Sequence, residues 1–106
     1  MGHADADHVP STTLHWLREN RAQILQTAAR HGAGNVRVFG SVVRGQDSPD
    51  SDVDLLVTAG RQTSSWFPVG LVLDLESLLG RRVEVVTDAG LSPFVREEVL
   101  REAVAL

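Results

Sequence analysis

Along STTLHWLRENRAQILQTAARHG the apolar residues Leu14, Leu17, Ile24, Leu25 and Ala28 recur near one helical face. Ser11 stands in a cap position ahead of them and Gly32 supplies a stop, so the spacing predicts one helix over this stretch. The pattern then changes. VRVFG, from Val36, is a short β-branched strand running into Gly40 and Ser41, and the glycine-bounded stretch to Ser51 contains a turn or a short helix. VDLLVTA, from Val53 to Ala59, is a continuous apolar run rather than an alternating one, which predicts a buried strand. After the loop GRQTSS, helical spacing returns in Leu71, Leu75, Leu78 and Leu79 between Pro68 and Gly80. RRVEVVT is a third strand. In LSPFVREEVLREAVAL, Ser92 and Pro93 take the cap and first-turn places of a helix predicted to reach the C-terminus. The order α, β, short α, β, α, β, α implies a small sheet with helices packed on it.

The chain has 106 residues, enough for one modest core and too few for two. Residues 1–10, polar, acidic and ended by Pro10, are expected to form a flexible leader, leaving 11–106 as a single domain. Hydrophobic and charged fractions of 42% and 23% are those of a globular protein. A net charge of −4 argues against direct nucleic-acid binding, whose phosphate contacts favour a basic surface. The absence of cysteine removes disulfides and thiolate metal sites. There is no basic start followed by an apolar stretch, and no run approaches the roughly 20 apolar residues that span a bilayer. These features predict a cytoplasmic protein with no membrane partner.

Chemistry concentrates between Phe39 and Val57. Asp52 and Asp54, two apart at the start of a strand, should point to the same side with their α-carbons roughly 7 Å apart. Both can reach one divalent ion, and oxygen ligands suit Mg²⁺ or Mn²⁺. A solvated acidic strand entrance explains an isolated pair equally simply. The residues ahead of it change the picture. Gly40 and Ser41 follow a strand directly, where a small residue and a hydroxyl let an anion approach the backbone, while Arg44 adds a guanidinium and Gly45 turns the chain back. Separately these are turn glycines, a helix cap and a surface cation. Together they form an anion cradle followed at once by a carboxylate pair, the two parts needed for a nucleoside triphosphate and its metal. Glu84, in the middle of a valine-rich strand, either faces water at an edge, paired with Arg81 or Arg82, or joins the carboxylates.

The run GSVVRGQDSPDSDVDLLV resembles the signature of the minimal nucleotidyltransferases, MntA-like antitoxins of the polymerase β-type nucleotidyltransferase superfamily. That signature is roughly G-S-x-x-R-G, a short spacer, then S-D-x-D-L. Gly40, Ser41, Arg44, Gly45, Ser51, Asp52, Asp54 and Leu55 match it. The resemblance implies an α+β fold with a mixed sheet of about three to four strands. It implies ATP as donor and Mg²⁺ or Mn²⁺ as cofactor, with Gly40, Ser41, Arg44, Gly45 and Ser51 in the nucleotide site. Asp52 and Asp54 would ligate metal, and Glu84 would complete the triad or act as base, although the third acid in this family is frequently aspartate.

The implied partner is a HEPN-type ribonuclease toxin, silenced by AMP transfer to a tyrosine. The chain has no tyrosine of its own. Two alternatives remain open: an antitoxin that acts by occlusion with an idle site, and a small-molecule nucleotidyltransferase of the aminoglycoside-modifying kind. Phe94, Val95, Val99 and Leu100, with Trp16 or Trp66, can form an interface, though core positions are the plainer expectation for most of them. His3, His8, His15 and His31 receive no role, and Arg61, Arg81 and Arg82 are expected to be surface charges.

Overall fold

The computed structural model describes residues 12–106, so the predicted leader and the Ser11 cap lie outside the described part. The elements are α1 (Thr12–Glu19), α2 (Arg21–Arg30), β1 (Ala33–Phe39), α3 (Ser41–Arg44) and β2 (Val53–Ala59). They are followed by α4 (Val69–Leu79), β3 (Val83–Thr87), α5 (Pro93–Glu102) and β4 (Val104–Ala105). The four strands make one mixed sheet in the order β3-β2-β1-β4. β1 runs antiparallel to both β2 and β4, whereas β2 and β3 are parallel, with α4 as the crossover that a parallel pair requires. This is the α+β architecture expected of the sequence.

Three expectations are corrected. The first helix is two, α1 and α2, because the Asn20 side chain donates to the Trp16 carbonyl at 2.9 Å and diverts the chain there. β1 begins at Ala33 rather than Val36. The last helix stops at Glu102, and AVAL, helical by propensity, instead pairs Val104 and Ala105 with Val38 and Arg37 on the open edge of β1. The unpaired edge of β1 outweighs a short stretch of local propensity.

One face of the sheet carries the core. Val38, Val53, Leu55, Val57, Val83 and Val85 pack against Leu17, Ile24, Ala28, Leu71, Leu75 and Leu79 from α1, α2 and α4. Leu17, Ile24, Leu55 and Leu71 are fully buried, each contributing about 1.5–3 kcal/mol by leaving water. His31 fastens the end of α2 to the loop between β2 and α4 and to α4 itself through Ser64 and Asp74, the latter at 2.6 Å. α5 is different. None of its residues is buried, and it carries the chain from the β3 edge of the sheet to the β4 edge. Phe94, Val95 and Leu100 are therefore not core residues, and neither is Trp66 in the loop before α4; all four are exposed. Trp16, by contrast, packs against the core.

Candidate active site

The two-residue period of β2 sends Val53, Leu55 and Val57 into the core and turns Asp54 to the opposite face. In register, Asp54 lies between Phe39 of β1 and Glu84 of β3. Asp54 and Glu84 are paired in register on the neighbouring parallel strands, close enough for the two carboxyls to act on each other. Partial burial, the Glu84 hydrogen bond and the Glu84 and Asp52 charges push the Asp54 carboxyl up to about 6 from 3.8, against a smaller opposing pull from Arg44. Glu84 is thus a neighbour of the strand-entrance acids and not an isolated edge residue.

Asp52 is engaged elsewhere. Its carboxylate meets the Arg82 guanidinium at 3.2 Å, and Arg82 also donates to the Asp50 carbonyl at 2.7 Å. Among the described residues no three acidic or histidine side chains stand together closely enough to hold a metal ion. The donor chemistry of the Asp54–Glu84 pair nevertheless fits a divalent cation. The Glu84 and Asp52 charges disfavour the ionised form of Asp54 more than Arg44 favours it, and a cation between the carboxyls would relieve that repulsion. Asp52 can join them on release from Arg82.

The turn after β1 abuts this pair. Gly40 has a φ of 78°, and a Cβ there would collide with Asp54 Oδ2, so only glycine satisfies both the backbone and the contact. Ser41 opens α3, and among the described residues its hydroxyl makes no hydrogen bond. The Gly40 N–H and part of the Arg44 guanidinium are engaged. The Gly40 N–H donates to Glu102 Oε1 at 2.8 Å, and Arg44 donates to Glu102 Oε2 at 2.6 Å and to Gln46 Oε1 at 3.2 Å. A pocket of about 270 Å³ lies beside the turn, lined by Phe39, Gly40 and Arg44 and by Val95, Val99 and Glu102 of α5.

Residues 21–106 match the family described as Nucleotidyltransferase domain. The chain belongs to the minimal nucleotidyltransferases. It is 43% identical over 75 residues to the protein adenylyltransferase MntA of Thermococcus cleftensis, covering 71% of this chain and 76% of that protein. It superposes on a solved minimal nucleotidyltransferase with a TM-score of 0.77 at 50% identity, over 88% of this chain and 95% of the other. A crystal structure of a toxin-antitoxin with AMP-PNP shares the fold, with a TM-score of 0.65 at 20% identity over 82% of this chain and 69% of that one. The protein is accordingly an enzyme of nucleotidyl transfer.

In this minimal nucleotidyltransferase, the residues picked out by the signature fall around one turn and one strand entrance, but not all face the same space. The Ser51 hydroxyl accepts from the Ser48 N–H at 2.9 Å and closes the turn ahead of β2. Gly45 ends α3 in the left-handed conformation.

Two residues escaped the sequence reading. Glu102 was unremarkable in a charged helix. Arg81 was expected to be a surface charge, yet its side chain is only 15% exposed and it fastens the loop before the aspartates. It donates to the Ser48 carbonyl at 2.8 Å and the Ser51 carbonyl at 2.9 Å, and it pairs with Asp47 at 3.4 Å. An arginine in a strand-leading R-R pair gives no sequence signal of which member turns inward. Away from the site, Asp88 receives the Thr58 hydroxyl at 2.6 Å and Arg37 at 3.1 Å; these bonds outweigh burial and hold its carboxyl below the usual range.

Proposed function

We propose that the enzyme transfers AMP from ATP to a hydroxyl, that of a tyrosine, on a HEPN-type toxin, and neutralises the toxin by doing so. The observation that carries this reading is the contact between the Gly40 turn and Asp54. It sets a small, anion-accepting turn with a free serine hydroxyl directly beside a carboxylate pair. The relatives support the acceptor class: one is named as a protein adenylyltransferase, and a structure with the same fold is of a toxin-antitoxin with AMP-PNP. No helix among the described residues is long and apolar enough to cross a membrane, consistent with an acceptor in aqueous surroundings.

In this scheme the Ser41 hydroxyl and the turn hold the triphosphate, with the positive charge of Arg44 nearby. Asp54, Glu84 and, once freed from Arg82, Asp52 would hold Mg²⁺ or Mn²⁺, which supplies charge neutralisation at the phosphates and lowers the pKa of the attacking hydroxyl. The acceptor oxygen forms a bond to the α-phosphorus, the bond from that phosphorus to the bridging oxygen breaks, and pyrophosphate leaves. The hydroxyl proton passes to a carboxylate of this cluster or to water as the bond to phosphorus forms. Positioning and electrostatics carry most of the acceleration.

A second reading, neutralisation by occlusion, draws on α5: Phe94 is 95% exposed, and Val95 and Leu100 stand on the same uncovered helix. Intact-mass spectrometry of the product of the adjacent gene, incubated with this enzyme, ATP and Mg²⁺, separates the two. Addition of AMP to that protein, absent with Asp52→Asn and Asp54→Asn, is expected. A stable complex without added mass would favour occlusion.

A further inference from the structure

We propose that Glu102 is a positioning residue of the nucleotide site, tying the end of α5 to the Gly40–Arg44 turn and setting that turn against Asp54. The inference rests on the reading that this turn receives the triphosphate. One carboxylate serves both ends of the turn: Oε1 takes the Gly40 N–H at 2.8 Å and Oε2 takes the Arg44 guanidinium at 2.6 Å, across separations of 62 and 58 residues. Gly40 is thereby fixed from two directions, by Glu102 on its N–H and by Asp54 against its α-carbon.

Local forces do not explain the residue. A negative charge in the last turn of a helix faces the negative end of the dipole, so at the end of α5 a glutamate is locally unfavourable. Its tertiary partners outweigh that placement. Burial pushes the Glu102 carboxyl up, yet the Gly40 N–H and Arg44 together hold it below the usual range. Consequently the Gly40 N–H is not a free phosphate donor, and two of the five N–H groups of Arg44 are committed to Glu102 and Gln46. Glu102 sets the shape of the turn, and the Ser41 hydroxyl and the remaining Arg44 N–H groups are left as donors.

Simple charge counting makes the opposite prediction. Removing a carboxylate beside an arginine should strengthen the binding of an anion, whereas removing a tether should weaken it. The test is calorimetric titration of the full chain with α,β-methylene-ATP and Mg²⁺, alongside thermal unfolding, for wild type, Glu102→Ala, Glu102→Gln and Arg44→Ala. Glu102→Ala should weaken nucleotide binding about tenfold, the effect of one lost charge-assisted hydrogen bond. Glu102→Gln should lose less, because its amide oxygen can still accept the Gly40 N–H. The double variant of Glu102→Ala with Arg44→Ala should bind no worse than the weaker single variant.

Leu71→Ala, a core substitution in α4, which carries none of the residues placed in the nucleotide site, should lower the unfolding midpoint and leave nucleotide affinity unchanged, separating positioning from stability. If Glu102→Ala fails to fold, Glu102→Gln and Arg44→Ala carry the test. Folded Glu102 variants that bind the nucleotide as tightly as wild type, or more tightly, would overturn the proposal. Failure of the wild type to bind would overturn the functional reading and this inference with it.

Discussion

The two faces of the sheet obey opposite rules although the same strands build both. On the helix-covered face, Val53, Leu55 and Val57 meet apolar side chains from α1, α2 and α4, and every contact favours the folded state. On the other face, Asp54 and Glu84 are set side by side at a cost, with Phe39 and an uncovered helix for company. The first face makes the second possible. A rigid pair of parallel strands keeps two carboxylates together that would separate in a looser frame.

The largest expected effect breaks the open face. Asp54→Asn should reduce AMP transfer roughly 10³-fold, the scale of losing a proton-handling and charge-organising group, as followed by label transfer from ATP. The same substitution should stabilise the metal-free protein. The Asp54 carboxyl is pushed up from 3.8 to about 6 in the folded state, so the stability its proton provides is complete at low pH and is lost as pH rises through about 6. At pH 8 Asp54→Asn should therefore raise the unfolding free energy by on the order of 1 kcal/mol, after allowance for solvent screening of a half-exposed group, and should flatten the pH dependence of urea unfolding. Equal stability of the two proteins at pH 8 would remove the claimed cost.

Leu55→Ala, one residue along and on the other face, should do the reverse. It should cost about 2–5 kcal/mol in urea unfolding, while any chain still folded keeps its affinity for Mg²⁺. Arg81→Lys comes next. A lysine cannot serve the Ser48 and Ser51 carbonyls with one nitrogen and Thr13 and Asp47 with another, so a loss of about 1–3 kcal/mol is expected, with faster limited proteolysis in the 45–52 loop. Arg82→Ala should be the smallest change. Its side chain is 73% exposed, and its pairing with Asp52 is worth about 0–1 kcal/mol, within the scatter of an unfolding measurement.

The covered face and the acids of the open face were legible in the sequence for the same reason: both are local patterns. Continuous apolar runs mark β2, and its two-residue period turns Asp54 away from the face of Val53 and Leu55. Glu84 could be assigned to a strand, but its position opposite Asp54 depends on a parallel register that no short stretch encodes. Asn20, whose amide diverts the first helix, matches the helical pattern around it and so gave no warning. β4 and the Glu102 tether were illegible because their partners lie far along the chain: Val104 finds Val38, and Glu102 finds Gly40. Arg81 belongs to the same class, since an inward-turned arginine is recognisable only once its carbonyl partners are assembled.

The central claim is that Asp54 and Glu84 form a carboxylate pair awaiting a cation, and carboxyl ¹³C NMR tests it most directly. The pH titration would be followed without metal and then with Mg²⁺. The account predicts an Asp54 resonance that titrates near pH 6 and shifts to a lower midpoint when Mg²⁺ is added. An Asp54 that titrates near 3.8 and does not respond to Mg²⁺ would contradict it.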